Sequence, residues 1–182
     1  MRFNFYAFKA IYLHEMDRFK RTLAQSLISP VLSTSLYFIV FGSVIGGYVE
    51  NIDGISYGSY IVPGLLMLTL LTQSISNTSF GIFFPKFNGT IYEILAAPIS
   101  TFEIVLAFVG AGATKTLIVG CMIFITSLFF VDVSVKFPLL MIFLLLLVSF
   151  TFALFGFLIG LMSTNFEQMS IIPTLVKENN EI

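Results

Sequence analysis

The chain has 182 residues, 57% of them apolar and 10% charged, with a mean hydropathy of +0.98 and a formal net charge of −1. A soluble domain is about 45–50% apolar and about 25% charged, and one of this length has too little interior to hide the excess. The composition excludes an ordinary soluble enzyme, a disordered chain and a nucleic-acid binder, which needs a basic surplus to track phosphates, and leaves an integral membrane protein.

Residues 1–27 do not span. They carry Arg2, Lys9, Arg18, Lys20 and Arg21, while Phe3, Tyr6, Ala10, Leu13 and Asp17 recur three or four apart, as do Phe5, Phe8, Tyr12 and Phe19 in part. That pattern predicts an amphipathic helix in the headgroup region, with its bases near anionic lipid. A helix packed on a soluble partner is the alternative. Charges recur through Arg21 and no small-residue site follows a short apolar core, so the segment does not read as a cleavable signal.

Beyond it, 28 uncharged residues separate Arg21 from Glu50, 32 separate Asp53 from Lys86, and 30 separate Lys136 from Glu167. Each run exceeds the roughly 20 residues that cross a hydrocarbon core. Residues 104–131 are apolar apart from Lys115 and a few small polar side chains. Four spans are predicted, at about 30–49, 60–83, 104–131 and 139–162. All are helices, because a helix satisfies its own backbone in lipid, and runs such as 139–148 lack the alternation of an outer-membrane barrel. The basic N-terminal segment, against a first loop with two acids and no base, places the N-terminus in the cytoplasm. The fold class is an all-α polytopic helix bundle with four complete transmembrane helices, an interfacial N-terminal helix and a short cytoplasmic helix between spans two and three.

That short helix falls within 90–97. It stops before Pro98, since proline disfavours a helical predecessor. Ser100 or Thr101 is then placed to cap the next helix, with Glu103 in its first turn. A helix between two long spans is a natural docking knob; a plain interfacial connector is the other reading. Lys115 either snorkels, faces a wet cavity, or marks a span that starts later, with 102–114 along the interface; the last two together are favoured.

Catalytic constellations are not found. His14 is the lone histidine, and no His/Asp/Glu cluster has metal-ligand spacing. Cys121, the single cysteine, reads as a small packing residue. Residues 110–116 resemble the end of a phosphate-binding loop, but Thr114 stands where that motif needs glycine. Gly42/Gly46 and Gly156/Gly160 have the spacing of close helix packing, within the chain or across a dimer.

Taken together, several motifs resemble the membrane subunit of type-2 ABC exporters. They are Glu15, Asp17, Arg18 and Phe19 in the basic N-terminal segment; residues 36–42 followed by Ile45 and Gly46; 60–65 opening the second span; 93–100 in the cytoplasmic loop; and 166–174 late in the chain. The likeness covers about 5–176, so 1–176 is assigned to this permease domain. The resemblance implies an interfacial helix at 1–27 and a coupling helix whose Tyr92, Glu93, Leu95, Ala97 and Pro98 meet a separate ATP-binding subunit. It further implies a homodimer in the bacterial inner membrane, with ATP and Mg²⁺ held by the partner and no cofactor in this chain. Lys115 remains a candidate cavity or interfacial residue. The family usually has six spans. Here a fifth begins near Met169, and the polar tail 177–182 departs from the pattern. A truncated or frameshifted coding sequence is expected, with a genuine short paralogue as the alternative. The function implied is ATP-driven efflux of a solute; the rival is a non-transporting membrane remnant or interaction protein.

Overall fold

The computed structural model describes residues 3–40, 51–52, 55–131 and 135–167. In chain order they form α1 (Phe5–Arg21), α2 (Leu23–Tyr37), the two-residue strands β1 (Asn51–Ile52) and β2 (Ile55–Ser56), α3 (Tyr57–Phe87), α4 (Ile91–Ala96), α5 (Thr101–Phe130) and α6 (Pro138–Met162). The two strands form a minimal antiparallel hairpin, Asn51 opposite Ser56; the rest of the described regular structure is helical. Four helices are long and apolar enough to cross a membrane: Leu23–Val40, Tyr57–Phe87, Thr101–Phe130 and Pro138–Met162. The protein is therefore an all-α polytopic membrane bundle. The second half of the first predicted span, the Gly42/Gly46 pair, the predicted start of a fifth span at 169 and the tail 177–182 lie outside the described residues.

The helix ends differ from the predicted ones for local reasons. α1 stops at Arg21 instead of running to 27, because Thr22 leaves the helical conformation and its hydroxyl donates to the carbonyls of Arg18 and Phe19, both at 3.3 Å. α2 then opens at Leu23, ahead of the expected residue 30, and takes Pro30 into its interior. Asn4 starts α1, its side chain accepting from Ala7 N, and Arg18, Lys20 and Arg21 sit in the last turn, where cations complement the helix dipole. Pro138 begins α6 at a position where a missing N–H costs nothing.

α5 is the most buried helix and packs on α1, α2, α3 and α6. Spans consecutive in the chain alternate in direction, so α5 runs against α3 and α6, which lie parallel to each other. At one end Gly58 of α3 lies against Val131, just past α5: a Cβ there would sit 3.0 Å from Val131 Cγ2. At the other end Lys86 Nζ donates to the carbonyls of Leu161 (2.6 Å) and Ser163 (2.8 Å). That places an ammonium on the C-terminal carbonyls that no α6 amide can reach. Phe83 and Phe87 close over Phe166 beside it.

α3 and α6 meet through small residues. Ser74 Oγ donates to Ser149 O (2.6 Å) and Ser79 Oγ to Gly156 O (2.8 Å). Ala153, Gly156 and Gly160 are buried on the same α6 face. The second glycine pair thus packs within the chain. The expectation for Cys121 is corrected: it is exposed on α5, because the helix turns its small-residue face, Gly112, Thr116 and Gly120, toward α3 instead.

Candidate functional site

Two features stand at the end of the bundle that carries α1. The first is α4. Gly89 makes the turn out of α3 at φ 81°, a conformation that favours glycine. Ile91, Ile94 and Ile99 face inward, onto a core that includes Ile82, Ile104, Phe108 and Phe157. Tyr92 and Leu95 face outward, 73% and 61% exposed, and Glu93, Ala97 and Pro98 are exposed beside them. The five residues singled out from sequence therefore form one accessible surface, held from behind by isoleucines. Ala97 is extended, as a residue before proline prefers.

The exit from α4 is clamped. Ser100 and Glu103 make a reciprocal capping box at the start of α5. Glu103 Oε2 accepts from Ser100 N (2.8 Å) and Oε1 from Asn4 N (2.6 Å), while Asn4 Nδ2 donates to Pro98 O (3.3 Å). One carboxylate thus joins the beginnings of α1 and α5. Ser100→Ala is expected to cost about 1 kcal/mol, the usual worth of an N-cap; a thermal melt in detergent followed by circular dichroism measures it.

The second feature is a buried charge cluster between α1 and α5. The two helices run side by side, their contacts climbing from Asn4–Glu103 through Tyr12–Thr114, a 3.0 Å hydrogen bond, to Glu15–Lys115. Lys115 Nζ donates to Glu15 Oε2 at 2.7 Å, and Arg18 reaches the same oxygen at 2.8 Å. Glu15 is 2% and Lys115 3% exposed, whereas the Arg18 side chain is 31% exposed. Gly81 of α3 lets this cluster fit: a Cβ there would meet Glu15 Oε2 at 3.3 Å. Further out, a hydrogen bond from Lys20 and the charge of that ammonium hold the Asp17 carboxyl below its ordinary value.

α5 is one unbroken helix of 30 residues. At 1.5 Å per residue it is about 45 Å long, against a hydrocarbon core of about 30 Å. If its far end lies at the membrane edge, the core ends about 20 residues back, near Gly110, and Lys115 sits about one turn inside. The partner that meets its charge, Glu15, was missed in the sequence. The available signal was arithmetic: Lys115 is the one base between residues 104 and 131, and Glu15 and Asp17 are the only acids before Glu50.

A cleft of about 270 Å³ opens beside the cluster, between α1–α2 and α3. Arg18 and Lys115 line it, with Thr22 and Asn77 as polar neighbours and Phe80 and Phe84 as its apolar wall. Among the described residues, no group of three His, Cys, Asp or Glu is placed to hold a metal ion.

An all-α bundle with four crossing helices, a knob between two of them and an ion pair buried at the same end is the build of a polytopic membrane protein. The ABC-2 type transporter family matches it over residues 6–176. Relatives named "Inner membrane transport permease YadH", from Escherichia coli K12, Escherichia coli O157:H7 and Shigella flexneri, are each 37% identical over 176 residues, which cover 97% of this chain and 69% of theirs. No solved structure matches significantly. The chain belongs to the ABC-2 type transporter family. It is a transport permease chain, a multi-pass protein of the inner membrane, and the family in general works with an ABC ATP-binding partner.

Proposed function

We propose that this chain is the permease subunit of an exporter, moving a solute outward with energy from ATP hydrolysed by a separate subunit that binds ATP and Mg²⁺. Two permease chains and two ATP-binding subunits make the working assembly, and the N-terminus is cytoplasmic. The observation that carries this reading is the surface of Tyr92, Glu93, Leu95, Ala97 and Pro98, exposed on a helix whose other face is anchored in the core. Lys9, Arg18, Lys20, Arg21 and Lys86 lie at that same end, which the positive-inside bias assigns to the cytoplasm.

The geometry suggests how the motion travels. A push on α4 acts on the core through Ile91 and Ile94. It acts on α1 through the bond from Asn4 to Pro98 O, and on α5 through Glu103. α1 and α5 are joined again at Glu15–Lys115, so the three elements move as a unit and the load reaches the middle of α5.

The test is binding to the cognate ATP-binding subunit in detergent. Tyr92→Ala and Leu95→Asp change exposed side chains, so the fold should survive within about 0.5 kcal/mol. Each should weaken binding about tenfold or more, as for an aromatic or apolar anchor at an interface centre. Equal binding by both variants, or labelling of the Tyr92 surface from outside intact cells, overturns the proposal.

A further inference from the structure

We propose that the cleft between α1–α2 and α3 binds the phosphate-bearing head of an anionic amphiphile, whose chain lies outward over Phe80 and Phe84.

The charge balance carries this assignment. The cluster holds two cations, Arg18 and Lys115, against one anion, Glu15. The other nearby acid of α1, Asp17, is turned to Lys20 at 2.9 Å. Among the described residues no acid lines the cleft, whereas both cations do. Glu15 Oε2 accepts from both, while its other oxygen, Oε1, is buried without a hydrogen-bond partner among the described residues. One positive charge is left over on the cleft wall, beside the nearly buried Lys115, and a group of opposite sign is held more strongly at such a partly desolvated site than in bulk solvent. Arg18 is the accessible one of the two cations, and a guanidinium forks onto phosphate oxygens. Asn77 adds an amide on the facing wall.

Size and polarity select an amphiphile over a small anion. At about 30 Å³ per water, the cleft has room for about nine waters, enough for a headgroup but not for a long acyl chain. The chain must leave, and the way out is apolar: Phe80 and Phe84 line the cleft and are each about half exposed, at 47% and 46%. A head in the cleft and a tail over these rings reproduces the way a membrane lipid divides its two ends.

This assignment concerns the chain alone and does not rest on α4 docking an ATPase. The test uses the full chain in an uncharged detergent, with native mass spectrometry to count bound ligand. Dioctanoyl phosphatidic acid should bind about tenfold more tightly than dioctanoyl phosphatidylcholine, the worth of one charge-assisted hydrogen bond. Arg18→Gln should abolish that preference and Arg18→Lys keep part of it, both with the Glu15–Lys115 pair intact. Phe84→Ser should weaken both lipids alike, by loss of contact with the chain. The proposal is overturned if the two lipids bind equally to the unaltered chain. It is overturned too if Arg18→Gln retains the preference, or if inorganic phosphate at the same concentration displaces phosphatidic acid.

Discussion

Glu15→Gln is expected to destabilise the protein by about 3–5 kcal/mol, the cost of leaving a buried charge without its partner. The cluster is asymmetric, and the asymmetry ranks the variants. Glu15 accepts from both Lys115 and Arg18. Removing its charge sets two cations against each other, one of them almost wholly buried. Lys115→Met leaves Glu15 with Arg18 and keeps a side chain of similar length. Its expected cost is smaller, about 1.5–3 kcal/mol, as for one charge-assisted hydrogen bond. The double variant removes the buried pair as a unit, and such replacements are often close to neutral. It should therefore be more stable than the sum of the single changes predicts, with a coupling of about 1–3 kcal/mol. Thermal melts of the four proteins in one detergent give the cycle. A Lys115→Met loss equal to or larger than that of Glu15→Gln would show that Arg18 does not share the carboxylate.

The same residues mark the boundary of what the amino-acid order discloses. Gaps between charges locate three of the four helices, because a charge in hydrocarbon is costly and its absence over about 20 residues is informative in itself; α5 shows instead as an apolar run broken only by Lys115. Local chemistry is equally legible: Pro98 ends α4 and the Ser100–Glu103 spacing caps α5, since both depend on residues a few positions apart. The helix starting at Leu23 is less so, because the Thr, Gln and Ser of 22–29 dilute the apolar run that marks a span. Pairings across the bundle are hidden for a further reason. Lys115 and Glu15 are 100 positions apart, and periodicity states which face of a helix is apolar without naming the helix opposite. The orientation of α5 shows the consequence. With 14 buried residues spread around much of its circumference, it has no strong apolar side in sequence, and so the exposure of Cys121 could not be read in advance.

Packing without charge sets the second large effect. Gly156→Leu is expected to separate α3 from α6 and leave little folded protein. A Cβ on Gly156 alone would lie 2.5 Å from Ile75 O and 2.9 Å from Ile75 Cα. These are backbone atoms of the facing helix, so no rotamer change relieves the clash, and one helix must move. Even Gly156→Ala should then cost about 1–3 kcal/mol, the range for overpacking, despite alanine's better helix propensity. Movement also breaks the bond from Ser79 to Gly156 O at 2.8 Å and strains the one from Ser74 to Ser149 O at 2.6 Å. In lipid the hydrophobic effect does not restore such an interface, since tails solvate the parted faces as well as the helices did; association rests on close contact and hydrogen bonds. Gly64 is the control. It lies in α3, and a Cβ there would meet nothing within 4 Å. Gly64→Ala should leave the melting temperature unchanged or raise it, by no more than about 1 kcal/mol of added stability. If Gly64→Ala and Gly156→Ala shift the melt equally, glycine at 156 serves the helix backbone only, and the α3–α6 contact is not limited by the space it leaves.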